Sequence, residues 1–360
     1  MKKGELKLLT MDYDIKVSDK ELSIMQDLYN YRVMTTEQIR KRHFNNSGTY
    51  VNKVLWKMRN KGYVKSNILK NSRKNKKGYA YHRLTETGVE CLVKHDTSVE
   101  VQSNIYVKPK QVPYLLMTND LVVDLTNTEW EIWDSRKVKE EYNLDQRMNI
   151  QGLLISPDKK RYGLYVMSNR SSLKTIGKIQ SEIKANADLL LHDYIIVTQG
   201  LDSYKEFISR AVETIQNNGQ KKEPLLTGHA IKLYPYKPFI TKASVYNSEI
   251  DWIKKICKHY GYELKSTAIP EGERQSFPFI VEVQGKEYYL VDLTDSDLQK
   301  YNDIEVYCNS QASRHWEKRD IIAVAFSIPT KTNQRIDELH GVNFKTITNA
   351  ELRDICSLSA

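Results

Sequence analysis

The sequence predicts a multidomain protein of mixed α+β and α/β class. Helical spacing of apolar residues, followed by a strand–turn–strand pattern, occupies roughly the first hundred residues. Hairpin, helix and strand patterns alternate through the remainder. The chain has 360 residues, of which 40% are hydrophobic, so it is long enough for two or three separate cores.

Positive charge is concentrated in one short segment. Residues 38–85 contain 14 Lys and Arg and no Asp or Glu, whereas the formal net charge of the whole chain is +10. The rest of the chain is therefore net acidic. Such a segment attracts a polyanion and releases its counterions. The alternative interpretation is a solvated surface that keeps the protein soluble.

Three helices are predicted between Ser18 and Gly62. Ser18 can cap the first helix, and Thr35 with Gln38 fits a capping box at the start of the second. The third has apolar residues at i, i+3, i+4 and i+7, namely Val51, Val54, Leu55 and Met58. Gly62 is positioned to end it in a left-handed conformation.

A β-hairpin and a fourth helix follow. Residues 63–69 and 79–84 have strand composition, and the polar, lysine-rich tip between them covers 70–78. Thr85 can cap the next helix. Three helices, a hairpin and a further helix in this order predict a winged helix-turn-helix in residues 1–97.

This domain is predicted to bind double-stranded DNA. The third helix can lie in the major groove, and the hairpin tip can reach a flanking phosphate or the minor groove. The predicted DNA-binding residues are Ser47, Thr49, Tyr50, Asn52, Lys53 and Lys57 near the third helix, with Arg73, Lys74, Lys76 and Lys77 at the tip. A winged helix that contacts protein instead is the alternative.

Two similar modules are expected after a polar linker at residues 98–112. The first covers 113–238 and the second 239–360, each with a β-hairpin, a helix and a strand. Leu164 and Leu290 are 126 positions apart, as are Ile195 and Ile321. This shared offset indicates an internal repeat, although such units are common enough for a chance match.

This order of elements is similar to the core of the PD-(D/E)XK nuclease-like fold. Those nucleases use carboxylates on neighbouring strands to hold Mg²⁺ and a lysine to assist water attack. Gln151 and Met167 stand near the positions of the acids in the first module. The second module offers Glu282 and Asp292, but Thr294 replaces the lysine. The modules are therefore predicted to be catalytically degenerate, with no catalytic residue.

Other site chemistry is not indicated. The four cysteines are scattered, the eight histidines lack metal-ligand spacing, and no phosphate-binding glycine motif occurs. We therefore expect no cofactor and no metal. The absence of an 18-residue apolar run predicts no membrane partner, and the cysteine usage favours a cytoplasmic protein.

Several motifs together resemble the replication-relaxation family. They are Thr35-Thr36-Glu37-Gln38-Ile39, the end of the third helix from Leu55 to Val64, Tyr81-His82-Arg83-Leu84-Thr85 with Gly88, and Tyr114-Leu115 with Asn119-Asp120. The resemblance covers about residues 18–200. It implies a winged helix joined to a nuclease-like domain, on plasmids or other mobile elements, in replication or in DNA processing for conjugation.

The first functional hypothesis is a sequence-specific double-stranded DNA-binding protein of a plasmid, phage or conjugative element. It would act in replication, transfer or transcription control, as a homodimer whose degenerate modules serve dimerisation or contact other replication or transfer proteins. The alternative is a Mg²⁺-dependent endonuclease or relaxase that uses Glu282 and Asp292. A regulator whose second half senses a peptide or protein is a third hypothesis.

Overall fold

The chain divides into two compact units, Met1–Leu116 and Met117–Ala360. The computed structural model describes residues 17–45, 48, 50–69, 78–95, 99, 106–187, 190–212, 216–217, 220–221, 224–269, 271, 275–310 and 319–358. Both units combine helices with a β-sheet, which confirms the predicted mixture of α and β structure. Among the helices described, none has the length and apolar character needed to cross a bilayer.

Among its described residues, the first unit has four helices and three strands before α5. They are α1 (Asp19–Tyr31), β1 (Met34–Thr35), α2 (Thr36–Phe44), α3 (Tyr50–Asn60), β2 (Val64–Leu69), β3 (Tyr79–Leu84) and α4 (Glu86–His95). Both predicted helix starts are confirmed, because Ser18 and Thr35 each form a complete capping box. Gly62 follows α3 with a φ of +75°, the left-handed conformation expected of the residue that ends a helix.

The sheet of this unit has the order β1-β3-β2 and is antiparallel throughout. Val64 lies opposite Leu84, and at the far end Leu69 lies opposite Tyr79. The two long strands therefore form the predicted hairpin up to the tip, of which residues 70–77 lie outside the described residues. Residues 98 and 100–105 of the predicted linker 98–112 also lie outside them.

The second unit begins with a five-stranded sheet. Its elements are α5 (Val112–Asp124), which crosses the boundary between the units, β4 (Glu131–Asp134), α6 (Ser135–Glu141), β5 (Gly152–Ile155), β6 (Arg161–Met167), α7 (Leu173–Ala185), β7 (Tyr194–Thr198), α8 (Leu201–Val212), the short pair β8 (Gln216–Asn217) and β9 (Gln220–Lys221), β10 (Ile231–Pro235) and α9 (Tyr236–Ala243). The strand order is β10-β7-β6-β5-β4. The pairs β4–β5 and β5–β6 are antiparallel, whereas β6–β7 and β7–β10 are parallel.

A second five-stranded sheet follows. Its elements are α10 (Glu249–Tyr260), β11 (Glu263–Ser266), β12 (Ile280–Val283), β13 (Lys286–Leu293), α11 (Leu298–Asn309), β14 (Asp320–Phe326), α12 (Lys331–Asp337), β15 (Val342–Ile347) and α13 (Asn349–Ser357). The order is β11-β12-β13-β14-β15, with two antiparallel pairs followed by two parallel pairs.

The two sheets therefore have the same strand order and the same strand directions. Corresponding helices also pack in pairs, α8 against α12 and α9 against α13. The pairing of the strands shows that the expected common offset of 126 positions is wrong by one residue for one of the two residue pairs. Leu164 lies opposite Ile195 in the first sheet, whereas Ile321 lies opposite Tyr289 rather than Leu290 in the second. The boundary predicted between residues 238 and 239 falls inside α9.

The core of this unit lies between the two sheets and their helices. The parallel strands β7 and β14 are almost entirely buried, as expected for strands covered on both faces. Large aromatic side chains fill the space around them, and the fully buried ones include Tyr165, Tyr194, Phe207, Trp252, Tyr289 and Tyr301. These aromatic contacts continue from one sheet to the other in a single apolar cluster.

Candidate nucleic-acid interface

Helix α3 has two faces of opposite character. The four residues predicted to face the core, Val51, Val54, Leu55 and Met58, are buried. They occur at helical spacing, so their burial turns the intervening side chains to the outside. Helix α2 and strand β2 pack against α3 and hold its buried face in place.

The outer face of α3 combines aromatic, amide and cationic side chains. Tyr50, Asn52, Lys53, Trp56 and Lys57 are all exposed, and the two aromatic rings have exposed fractions of 55% and 56%. The structure thus brings four of the predicted residues onto one surface, Tyr50, Asn52, Lys53 and Lys57. We call this surface, with Trp56, the α3 face.

Six of the predicted DNA contacts fall outside the described residues. Ser47 and Thr49 before α3, and Arg73, Lys74, Lys76 and Lys77 in the hairpin tip, lie outside the described residues. Their assignment stays a prediction. The strands that lead to the tip are placed, and Ile68 near the end of β2 is 70% exposed.

The lysines of the α3 face differ from Lys61, Arg42 and His43 in their partners. Within the described part of the chain, neither Lys53 nor Lys57 has an ion-pair partner. In contrast, both carboxylate oxygens of Glu21 accept from Lys61 Nζ at 3.0 Å, and Asp27 accepts from Arg42 and from His43. The acids of α1 therefore neutralise cations beside the core and leave the charge of the α3 face available.

A buried histidine joins the hairpin to α2. His82 is 1% exposed, and its two ring nitrogens lie 2.8 Å from the hydroxyl oxygens of Thr36 and Ser66. Burial, with a smaller contribution from the charge of Arg59, lowers the pKa of His82 to about 4. The ring is therefore neutral at neutral pH. Arg59 Nη1 also donates to Ser66 Oγ at 3.2 Å, which ties the end of α3 to β2.

Sequence reasoning did not select Trp56 and Arg59 as site residues. Both follow from the same helical spacing, since they lie on the outside when the four apolar positions face inward. Trp56 also borders a groove of about 520 Å³ that runs between α3 and the start of α1.

The two carboxylates of the proposed nuclease site do not meet. Glu282 on β12 lies opposite Glu287 on β13. Glu287 in turn precedes Asp292 by five residues along β13. At about 3.4 Å per residue, the two carboxylates are separated by about 17 Å along the strands. Glu282 instead pairs with Lys265 at 3.0 Å. A single Mg²⁺ ion cannot be bound by both residues, because its ligand distances are about 2.1 Å.

Asp292 belongs to a buried ion pair. Lys242 on α9 donates from Nζ to Asp292 Oδ2 at 3.0 Å and to Thr294 Oγ1 at 2.9 Å. Thr294 donates its backbone N–H and hydroxyl to Asp292 Oδ1. The ammonium group also lies 4.6 Å from the centre of the Trp252 ring. Burial lowers the pKa of Lys242, while Asp292 acts in the opposite direction.

Further charged groups continue from this pair into a charged cluster. Asp295 lies 2.9 Å from Lys300 Nζ and 3.4 Å from Lys232 Nζ. Glu249 on α10 lies 3.4 Å from Lys300 Nζ, and this charge lowers the pKa of Glu249 to about 2. Burial opposes charging of Asp295, but the neighbouring lysines lower its pKa overall. Asp295 and Glu249 thus remain ionised, each beside a lysine.

The cavity beside the charged cluster is too small for an organic ligand. It has a volume of about 20 Å³, close to the space that one water molecule needs. Its walls are aromatic and charged side chains, including Trp130, Tyr162, Tyr246 and Trp252. Because the lysines and acids of the cluster are paired and leave little space for a ligand, the cluster has a structural role in the second unit.

One other group has metal-ligand character. His192, Asp193 and His229 each offer a ligand atom within 4.8 Å of the others, and no second such group occurs among the described residues. Sequence spacing gave no sign of this, because 37 positions separate the two histidines.

Residues 25–165 match the family model described as replication-relaxation. The match begins in α1 and ends in β6, so it includes the whole of α3 and the first strands of the second unit. The resemblance inferred from the sequence motifs is thereby confirmed over these residues. No curated protein and no solved structure matches the chain.

Proposed function

We propose that residues 1–97 form a winged helix-turn-helix that binds double-stranded DNA, with α3 in the major groove. The observation that carries this proposal is the α3 face, where Asn52, Lys53 and Lys57 are exposed. Lysine side chains neutralise phosphates, and an amide side chain can pair with the edge of adenine in the major groove. The hairpin tip would reach the adjacent backbone or minor groove.

The charge distribution supports a polyanion rather than a protein as the partner. Lys53 and Lys57 belong to the segment 38–85 that contains no acid at all. Two lysines without carboxylate partners repel one another and attract phosphates, since each contact with DNA releases a condensed counterion. Exposed aromatic rings at Tyr50 and Trp56 add flat surfaces that fit against sugars and bases.

The biological role proposed here rests on the family match. A replication-relaxation protein acts in replication or transfer of a plasmid or another mobile element, and the chain would recognise a specific site there. Transcription control from an operator is compatible with the same DNA-binding surface. We infer a homodimer, because a single winged helix makes few base contacts. The partners would then be DNA, a second copy of the chain and other replication or transfer proteins.

The second unit is proposed to be non-catalytic, with a nuclease-like architecture used for dimerisation or partner contact. Support comes from the separation of Glu282 from Asp292 and from the pairing of Asp292 with Lys242. A nuclease that used these two acids would need both at one metal ion.

The DNA-binding proposal can be tested with a double variant and a matched control. Lys53 and Lys57 are four residues apart on an exposed helix face, and so are Lys174 and Lys178 on α7. Binding to random-sequence duplex is measured by fluorescence anisotropy over a range of salt concentrations. Lys53→Ala with Lys57→Ala should lower affinity at least ~10-fold and reduce the salt slope by about 2.

The control, Lys174→Ala with Lys178→Ala, should leave both quantities unchanged. Equal losses in the two double variants, or no loss in the first, would overturn the proposal. Selection of bound fragments from the DNA of the host element then distinguishes an origin, a transfer locus and a promoter. Size measurement of the selected complex tests the homodimer.

A further inference from the structure

Two histidines face each other at the amino-terminal edge of the first sheet. Strands β7 and β10 are parallel neighbours, and Tyr194 lies opposite Ile231. Continued by two residues toward the amino ends, the same register places His192 opposite His229. The rings are 4.1 Å apart between centroids and tilted by 33°.

The backbone that presents these side chains is held on both sides. Tyr194 N donates to Ala230 O at 2.9 Å, and Gly163 N donates to Asp193 O at 2.8 Å. Asp193 Oδ1 accepts from Ala230 N at 2.9 Å, which turns its carboxylate toward the β10 side of the ladder. The backbone of His192, Asp193 and His229 is therefore fixed by the hydrogen bonds of the sheet, which limits the conformational entropy lost when a ligand binds.

We propose that His192, Asp193 and His229 bind one divalent transition-metal ion, with Zn²⁺ as the preferred ion. Two imidazoles and one carboxylate are a ligand set for Zn²⁺ and related ions, whereas Mg²⁺ and Ca²⁺ prefer oxygen ligands alone. All three ligand atoms lie within 4.8 Å of one another. Bonds of about 2.1 Å in tetrahedral geometry need donor atoms about 3.4 Å apart.

Binding of the ion would require the side chains to rotate until the donors reach that separation. All three residues are half-buried, so their side chains can turn while the backbone stays fixed. The angle between the rings must open for both nitrogens to point at one ion. Water would fill the remaining coordination position, as in zinc sites that have three protein ligands. The proposal goes beyond the proposed DNA binding and does not depend on it.

The corresponding edge of the second sheet provides an internal contrast. Ile321 lies opposite Val342, and the same register continued two residues back places Arg319 opposite His340. Arg319 Nε pairs with Glu287 at 2.9 Å. The guanidinium of Arg319 therefore takes the place that the imidazole of His192 has in the first sheet, and its positive charge disfavours binding of a metal cation. His340 is accordingly a matched control for His229.

The test uses the full chain without an affinity tag. Co²⁺ is titrated first and followed by its visible absorption, and Zn²⁺ is then added to displace it. We expect one equivalent of Co²⁺ per chain, displaced by Zn²⁺. His192→Ala and His229→Ala should each weaken Zn²⁺ binding at least ~10-fold, whereas His340→Ala should not change it.

A second variant covers the case in which the alanine variants fold poorly. Asp193→Asn retains an oxygen that can accept from Ala230 but loses the negative charge, so Zn²⁺ binding should weaken while thermal stability without metal is unchanged. Wild-type binding that does not saturate at one equivalent, or that persists in Asp193→Asn and His229→Ala, would overturn the proposal.

Discussion

Lysine has opposite surroundings in the two units of this chain. On α3, Lys53 and Lys57 are exposed, and neither forms an ion pair within the described part of the chain. In the second unit, Lys242 is buried and Lys232 is half-buried, and each contacts a carboxylate. An exposed cation can exchange its counterions for a DNA phosphate, whereas a buried cation is fixed by the acid it pairs with. The surroundings of a lysine, rather than its position in a basic sequence, therefore decide what it does.

The largest effect is expected when a lysine of the charged cluster is removed. Lys242→Met leaves Asp292 buried beside Thr294 without its cation, and loss of one partner of a buried ion pair costs about 3–5 kcal/mol. Denaturant unfolding should show this loss. Lys242→Met combined with Asp292→Asn should recover part of the stability, because the uncompensated charge is gone. A single variant as stable as the wild-type chain would contradict the role assigned to this pair.

A smaller loss is expected in the first unit at acid pH. The pKa of His82 is about 4 in the folded chain, below the value of about 6.5 for an unperturbed histidine. The folded state therefore binds fewer protons between these two values. The contribution of His82 is complete above pH 6.5 and decreases as the pH falls toward 4, by a total of about 3 kcal/mol.

Unfolding measured at several pH values tests this expectation. His82→Gln should remove most of that pH dependence, whereas His95→Gln, at an exposed position near the end of α4, should retain it. If both variants keep the full dependence between pH 6.5 and 4, another group is responsible.

Asn52 should affect which DNA is bound rather than how strongly DNA is bound in general. An amide that pairs with a base edge is worth about 1–3 kcal/mol of discrimination. Asn52→Ala is therefore expected to reduce the ratio of specific to non-specific affinity by ~5- to 150-fold while the salt slope stays the same. Competition between the selected fragment and random duplex measures this ratio. An unchanged ratio would mean that the α3 face contacts only the backbone.

The smallest effect is expected for exposed lysines on α7. Lys174→Ala and Lys178→Ala should each change the free energy of unfolding by less than about 0.5 kcal/mol, because both side chains are solvated. Compared with Lys242→Met, this pair shows how much of a lysine's contribution to stability depends on burial. A loss above 2 kcal/mol at α7 would remove the contrast.

Sequence periodicity predicted the elements whose two faces differ most. The four buried positions of α3 and both capping boxes could be identified because they depend only on local spacing. Strands β7 and β14 are the closing strands expected in the two modules, since continuous apolar runs mark buried parallel strands. The edge strand β15 gave no such signal because its residues alternate irregularly between half-buried and exposed.

The buried ion pairs and the histidine pair of the second unit could not be inferred from the sequence in the same way. Lysine in a sequence indicates an exposed residue, so nothing in the sequence indicated that Lys242 is buried or that Lys232 is half-buried. Their partners Asp292 and Asp295 are 50 or more positions away. The pairing of His192 with His229 likewise depends on the register between β7 and β10, which only the folded sheet defines.

The position of helix α9 has a practical consequence for the design of fragments of this chain. The helix ends the first sheet's half of the second unit, yet Lys242 on it pairs with Asp292, which belongs to the other half. A fragment that stops after α9 would contain Lys242 without Asp292. A fragment that starts at α10 would contain Asp292 without Lys242. Each half expressed alone should therefore aggregate, whereas the pair supplied as two polypeptides should reassemble.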